Sequence, residues 1–193
     1  SHGIKLKSPP HSASQSYTLT FPSTSPVNGK VLQTDGSGNL SFADAGDNTP
    51  RWGAYIGSDQ TGLTNNVITK GAFNTEHFDS DGAFDTSNYR FTVPSGKAGV
   101  YFVTGFVTFQ GTSNAHGRSM YSWIYKNGAG ILRPGYFLTS QYFEGSQGNA
   151  TSVTGIFDLS DGDYLELYGQ KYDNGGIIKG GASLSYFGGF KLS

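Results

Sequence analysis

Not one cysteine occurs among the 193 residues. That excludes a disulfide framework, thiolate catalysis and cysteine-based metal ligation. Charge is scarce as well: 13 Lys+Arg stand against 14 Asp+Glu, so charged residues make up 14% of the chain and the formal net charge is −1. No broad basic field exists to collect nucleic acid or anionic lipid. The chain also lacks any run of about 18 apolar residues, the length a membrane-crossing helix needs, so no membrane insertion is expected. The four histidines, His2, His11, His77 and His116, have no metal-ligand spacing. No serine sits in a nucleophile-elbow glycine pattern. The glycine runs Asp35-Gly36-Ser37-Gly38, Gly175-Gly176 and Gly180-Gly181 lack the strand-to-helix setting of a phosphate loop, and no window shows a sustained helical period.

Glycine and aromatics are abundant. The chain holds 29 Gly, 12 Tyr and 14 Phe, a combination suited to pleated strands joined by tight turns: rings pack well on a pleat and glycine tolerates positive φ. A boundary falls near Ala45–Thr49, giving an N-terminal segment over 1–48 and a single larger domain over 49–193. The opening Ser1-His2-Gly3, without Met, reads as the remnant of a tag or truncation, so further upstream sequence is expected. Within the N-terminal segment, Tyr17–Phe21 alternates large apolar and hydroxyl residues until Pro22. Val31-Leu32 and Leu40-x-Phe42 bracket a Thr-Asp-Gly-Ser-Gly-Asn turn, which predicts two short strands joined by a loop. So little apolar surface makes no core in one copy.

Beyond Trp52 the pattern is all-β. Expected strands are Trp52–Ile56, Val67–Thr69, Tyr89–Thr92, Val100–Phe109, Met120–Lys126, Ile131–Leu132, Val153–Leu159, Tyr164–Tyr168 and Ala182–Lys191. Turns are expected at Asp81-Gly82, Ser95-Gly96, Asn127-Gly128, Asp161-Gly162 and Asn174-Gly175. Asn127-Gly128 between two apolar runs predicts a type I′ hairpin, which needs positive φ at both central residues. Val100–Phe109 is apolar on both faces, as expected of a strand covered by a second sheet on one side and another subunit on the other. An antiparallel sandwich or jelly roll follows.

Three pieces carry a family resemblance. Phe84-Asp85, then Phe91-Thr92-x-Pro94 and Gly99-x-Tyr101-Phe102, form the first. Leu159, Gly162, Asp163, Leu165 and Leu167 form the second, and Phe187-x-Gly189-Phe190-x-Leu192 the third. In this order they resemble the globular heads of the complement C-one-q family and its tumour-necrosis-factor relatives, over about Trp52 to Leu192. Asn88-Tyr89 departs from the family's usual Thr-Gly, and Ser95–Ala98 is a longer turn than its Pro-Gly. The resemblance implies an antiparallel jelly roll of the complement/TNF-like type, a homotrimer, and binding instead of catalysis. It also makes Trp52, Tyr55, Tyr101, Tyr186 and Phe187, on or beside its inner-sheet strands, the candidate trimer interface. Many secreted animal heads of that family carry cysteine, so its absence points toward a microbial or viral source. Separately, the string from Leu19 to Phe42 is similar to a short segment of bacteriophage tail fibres, where it precedes a variable C-terminal head.

Candidate chemistry is sparse. Asp79-x-Asp81-Gly82 opens like a calcium loop but lacks the closing bidentate Glu, and reads first as a solvated turn before the strand. No cofactor is expected; a calcium ion at the apex of a trimer, with Asp79, Asp81, Asp85 or Asp173 contributing, is the one metal reading left open. Asp161 and Asp163 as a glycosidase pair share a strand face only about 7 Å apart. Sugar recognition uses rings for the apolar face of a pyranose and amides or carboxylates for its hydroxyls. The aromatic, amide-bearing stretches Gly135–Phe143 and Gln170–Asn174 have that content, although the same rings also suit packing between subunits. The expected receptor-binding residues are His116, Arg118, Tyr142, Tyr172, Asp173 and Asn174, although His116 reads most simply as a loop-tip residue. The functional expectation is a trimeric virion head, extracellular, that holds a host-surface glycan or protein receptor and meets other virion proteins through its N-terminal segment. A structural trimerisation cap or capsid decoration, and a secreted lectin-like head, are the alternatives; a depolymerase ranks last.

Overall fold

The computed structural model describes residues 9–14, 16–46, 48–111, 119–133, 137–138, 148–172 and 176–192. The chain divides into two compact units, Ser1–Asp47 and Asn48–Ser193. In the first, β1 (Lys30–Thr34) and β2 (Leu40–Asp44) pair antiparallel. Their turn is built on Asp35, whose Oδ1 accepts the amides of Ser37 (2.8 Å) and Asn39 (3.1 Å). Gly36 and Gly38 supply the positive φ values of 82° and 94° that the reversal requires. Tyr17–Phe21, expected as a strand, is not one: only Thr20 bridges, its amide donating to Gly38 O at 2.9 Å. Leu19, Phe21, Val31 and Leu32 are all exposed.

The larger unit is all-β and antiparallel. One sheet contains β4 (Gln60–Leu63), β15 (Gly176–Ile178), β9 (Gly99–Gly111), β16 (Ser185–Lys191), β3 (Arg51–Tyr55) and β6 (Thr75–Asp79) in that order, with β13 (Asn149–Leu159) on the other side of β9. The second contains β11 (Ala129–Leu132), β10 (Ser119–Lys126), β14 (Tyr164–Tyr172), β8 (Arg90–Thr92) and β7 (Phe84–Asp85). There β12 (Phe137–Leu138) joins β10, and β5 (Thr69–Lys70) joins β14. β9 organises the first sheet: β13 runs along one side of it from Gly99 to Phe109, while β16 and then β15 share the other.

The two sheets bury one core between them. Trp52 lies flat on Phe91 with ring centroids 3.7 Å apart and planes 4° from parallel, and the Phe187 ring meets Trp52 edge-on at 5.9 Å. Tyr101, Val103, Val107 and Phe109 of β9 close on Leu165 and Leu167 of β14 and Ile124 of β10. The Asn127-Gly128 hairpin forms as the sequence predicts, with φ of 52° and 80° at its two central residues. Expected turns at Asp81-Gly82, Ser95-Gly96 and Asp161-Gly162 also form, each with Gly at positive φ; Asn174-Gly175 lies outside the described residues. The last strand begins at Ser185, not Ala182, because Leu184 and Ser185 both donate to Gly181 O in a preceding turn.

Candidate functional site

Alternation along β9, β16 and β3 sorts their side chains between two environments. Tyr101, Phe187 and Trp52 point inward and are wholly buried within one subunit. This corrects their assignment to a trimer interface: they are core residues, one position out of phase with the outer face. Tyr101 fits the core because its hydroxyl donates to Lys97 O at 2.7 Å, and burial, with Asp81 and Asp161 nearby, pushes its pKa up to about 12. Tyr55 and Tyr186, the other two interface candidates, do point outward and are half-buried.

Outward neighbours in register make two apolar rows, with Thr154, Thr104, Gly188 and Gly53 between them. Ile156 of β13 pairs with Phe102 of β9, which pairs with Phe190 of β16. One row along, Phe106 pairs with Tyr186 and Tyr186 with Tyr55. Phe102 and Phe190 have ring centroids 5.4 Å apart, and Phe106 and Tyr186 6.0 Å. Ile156 is 65% exposed and Val100, on the adjoining row of the same strand pair, 41%; Phe78, on β6 at the other side of the sheet, is 43% exposed. Between the rows, Tyr186 lies across Gly53 and Gly188. A Cβ on either would come within 2.4 or 2.5 Å of the Tyr186 hydroxyl, so only glycine fits beneath it. The result is a hollow of about 340 Å³ with Arg51, Phe78, Phe102, Thr104 and Phe190 around it. Sequence reasoning found the apolar character of this strand but not which of its rings face out.

The carboxylates that suggested chemistry are committed to turns. Asp161 accepts backbone amides from Gly96 (2.7 Å), Ala98 (2.8 Å) and Lys97 (3.1 Å), and these bonds, Gly96 foremost, hold its pKa below the ordinary carboxylate value. Asp163 pairs with Lys126 Nζ at 2.7 Å, and accepts from Asn127 Nδ2 at 2.7 Å and Ser160 N at 2.8 Å. Lys126, then Asn127, bring its pKa down to about 2. Both residues lie in the Leu159–Tyr164 turn, not on a strand, and a glycosidase acid needs its pKa raised. Asp79 accepts Phe84 N at 2.7 Å and Asp81 N at 3.2 Å, and Asp85 caps Ser87 and Asn88. Among the described residues no three His, Asp or Glu cluster as a metal site would require.

A depressed carboxylate pKa stabilises the folded state above its unfolded value of 3.8, and that contribution is lost as pH falls toward about 2. Asp163→Asn removes it. The denaturant midpoint of the parent is therefore expected to drop more steeply than that of Asp163→Asn between pH 4 and pH 2, with parallel behaviour above pH 5; equal slopes throughout would refute the assignment.

Of the expected receptor residues, Tyr172 ends β14 with its ring 5.8 Å from Tyr121. His116, Arg118, Tyr142, Asp173 and Asn174, and the stretch Gly135–Phe143 apart from the backbone of Phe137–Leu138, lie outside the described residues.

Sandwich, strand order and core together define a jelly roll of the complement C-one-q/tumour-necrosis-factor type. Two solved structures share it. The globular domain of zebrafish Complement 1qA protein is similar at TM-score 0.50 and 14% identity, over 75% of this chain and 98% of that one. Murine APRIL, in its structure at pH 8.0, is similar at TM-score 0.52 and 14% identity, over 74% and 98%. At that identity the likeness is one of fold. No family model matches the chain, and no curated protein sequence does. No helix of the described residues is long and apolar enough to cross a membrane.

Proposed function

We propose that this chain is a non-enzymatic homotrimeric head whose work is binding, set at the end of a bacteriophage tail fibre or similar virion appendage and directed at a host-surface receptor. The observation that carries the trimer is the outer face of the β9 sheet: Phe102, Phe106, Phe190 and Tyr186, each half-buried, and Ile156, exposed, present apolar surface that a single copy leaves partly uncovered. Burying one such side chain contributes roughly 1.5–3 kcal/mol. The heads in the resembled family assemble in threes, and the jelly roll supplies the strands to do so. The virion setting rests on the resemblance of the Leu19–Phe42 string to tail-fibre segments. In three copies brought together by the heads, the free edges of β1 and β2 pair between chains and cover Leu19, Phe21 and Leu32.

Sedimentation equilibrium at micromolar concentration tests the assembly: three times 20.6 kDa is expected, and a clean monomer overturns the reading. Adhesion of the trimer to host cells separates a receptor-binding head from a structural cap. Slower hydrogen exchange over Val31–Phe42 in the trimer than in a peptide of that sequence supports the stem.

A further inference from the structure

The two outer faces of the sandwich differ in chemistry. On the β9 sheet the outward groups include phenylalanine and aliphatic side chains, which suit another protein surface. On β10 the outward positions are Tyr121, Trp123 and Tyr125, while Met120, Ser122 and Ile124 face the other way; on β14 they include Tyr164, Glu166 and Tyr168, with Leu165 and Leu167 in the core. Among the described residues each outward ring of β10 and β14 carries a polar atom, and Ile131 of β11, 41% exposed, is an aliphatic at the edge of the same sheet. Register sets Trp123 opposite Tyr168 and Tyr125 opposite Glu166. The Tyr125 and Tyr168 centroids are 4.2 Å apart and Trp123 stands 6.4 Å from Tyr125. Beside them Gly130 carries no side chain; a Cβ there would sit 3.3 Å from the Tyr125 ring and 3.4 Å from Trp123.

Charge on this face is almost matched. Lys70 pairs with Glu166, and Arg90, stacked 4.8 Å from the Tyr164 centroid, has Asp85 opposite it in the β7–β8 register. Among the described residues the remaining cation of this face is Arg133. It is exposed, and its guanidinium sits 4.7 Å from the Tyr121 centroid and 4.9 Å from Trp123. Among the described residues it has no carboxylate partner. A stacked guanidinium keeps its N–H edges for a carboxylate, which it grips at two points.

We infer that this face is a platform for an acidic, pyranose-containing glycan: the Trp123, Tyr125 and Tyr168 rings lie against the apolar faces of the sugars, and Arg133 holds a sugar carboxylate. The inference rests on the proposal that the head is an adhesin, and gives that adhesion a place and a ligand class. Hydroxylated ligands favour rings with polar edges over phenylalanine, and the unmatched guanidinium selects the acidic members.

An array of neutral and uronic- or sialic-acid-bearing oligosaccharides, probed with the full chain, tests it. The parent is expected to prefer acidic glycans. Arg133→Ala, at an exposed position, is expected to lose about tenfold in affinity for them and nothing for their neutral counterparts; Trp123→Ala is expected to lose roughly thirtyfold for both. Because the chain has two tryptophans and Trp52 is wholly buried, glycan binding should shift the fluorescence of Trp123. Trp123→Phe keeps a ring and should bind within a few-fold of the parent while losing that shift, which separates stacking from misfolding. Glycan binding that survives Trp123→Ala and Arg133→Ala unchanged overturns the platform and leaves adhesion standing. A parent that adheres to cells but binds no glycan on the array overturns the ligand class. A parent that does neither takes the adhesin proposal down with it.

Discussion

Phe102→Asp combined with Ile156→Asp should convert the proposed trimer into folded monomers. These residues face each other across β9 and β13 on the outer side of the sheet, and neither belongs to the buried core. In an assembled trimer each substitution forfeits roughly 1.5–3 kcal/mol of apolar burial, and each new carboxylate resists desolvation further. The pair therefore weakens association by at least about a hundredfold. Sedimentation equilibrium should fall to 20.6 kDa while near-UV circular dichroism, which reports the rings of the interior, stays as in the parent. A double variant that remains trimeric would place the contact surface elsewhere; one that unfolds would show that these side chains hold the fold.

Trp52→Ala is the complementary substitution and should act on the fold itself. The indole is wholly buried, stacks on Phe91 at 3.7 Å and meets Phe187 at 5.9 Å. Removing it leaves a cavity in a packed interior and should cost about 3–5 kcal/mol. Measured in the monomeric double variant, so that association does not contribute, the denaturant midpoint should fall accordingly. Tyr55→Ala, on the outer face three residues along the same strand, should change it by less than about 1 kcal/mol. Equal small effects of the two would return Trp52 to an interface role.

These two variants mark where the sequence was legible. Val100–Phe109 announces a strand apolar on both sides, and Asn127-Gly128 announces its hairpin through residues that accept positive φ. What the letters alone do not decide is phase. Tyr101 and Phe102 are both large rings, and only pairing with β16 and β13 determines which enters the core. Gln60–Leu63, Thr75–Asp79 and Gly176–Ile178 escaped notice for another reason: they are short, polar or glycine-bearing, and become strands through the neighbours they pair with, not through their own pattern. The Tyr121/Trp123/Tyr125 and Tyr164/Tyr168 alternation was visible all along at a strict period of two. It drew no attention because each ring, taken singly, reads as packing; only the cross-strand register assembles them into one surface. The candidate loop residues around His116 and Asp173 owe nothing to such periodicity.

The pairing of Arg51 with Phe190 has one more implication. The strand that leads into the head and the strand that leads out of it run side by side, with Lys191 N donating to Pro50 O at 3.0 Å and Leu192 N to Val100 O at 2.8 Å. The whole jelly roll therefore hangs from a doorway two strands wide. Chain segments on either side of that doorway can change in length without disturbing the register within it. A domain whose first and last strands are neighbours keeps its fold when cut out and grafted as one piece, because no pairing inside it depends on what lies beyond the doorway.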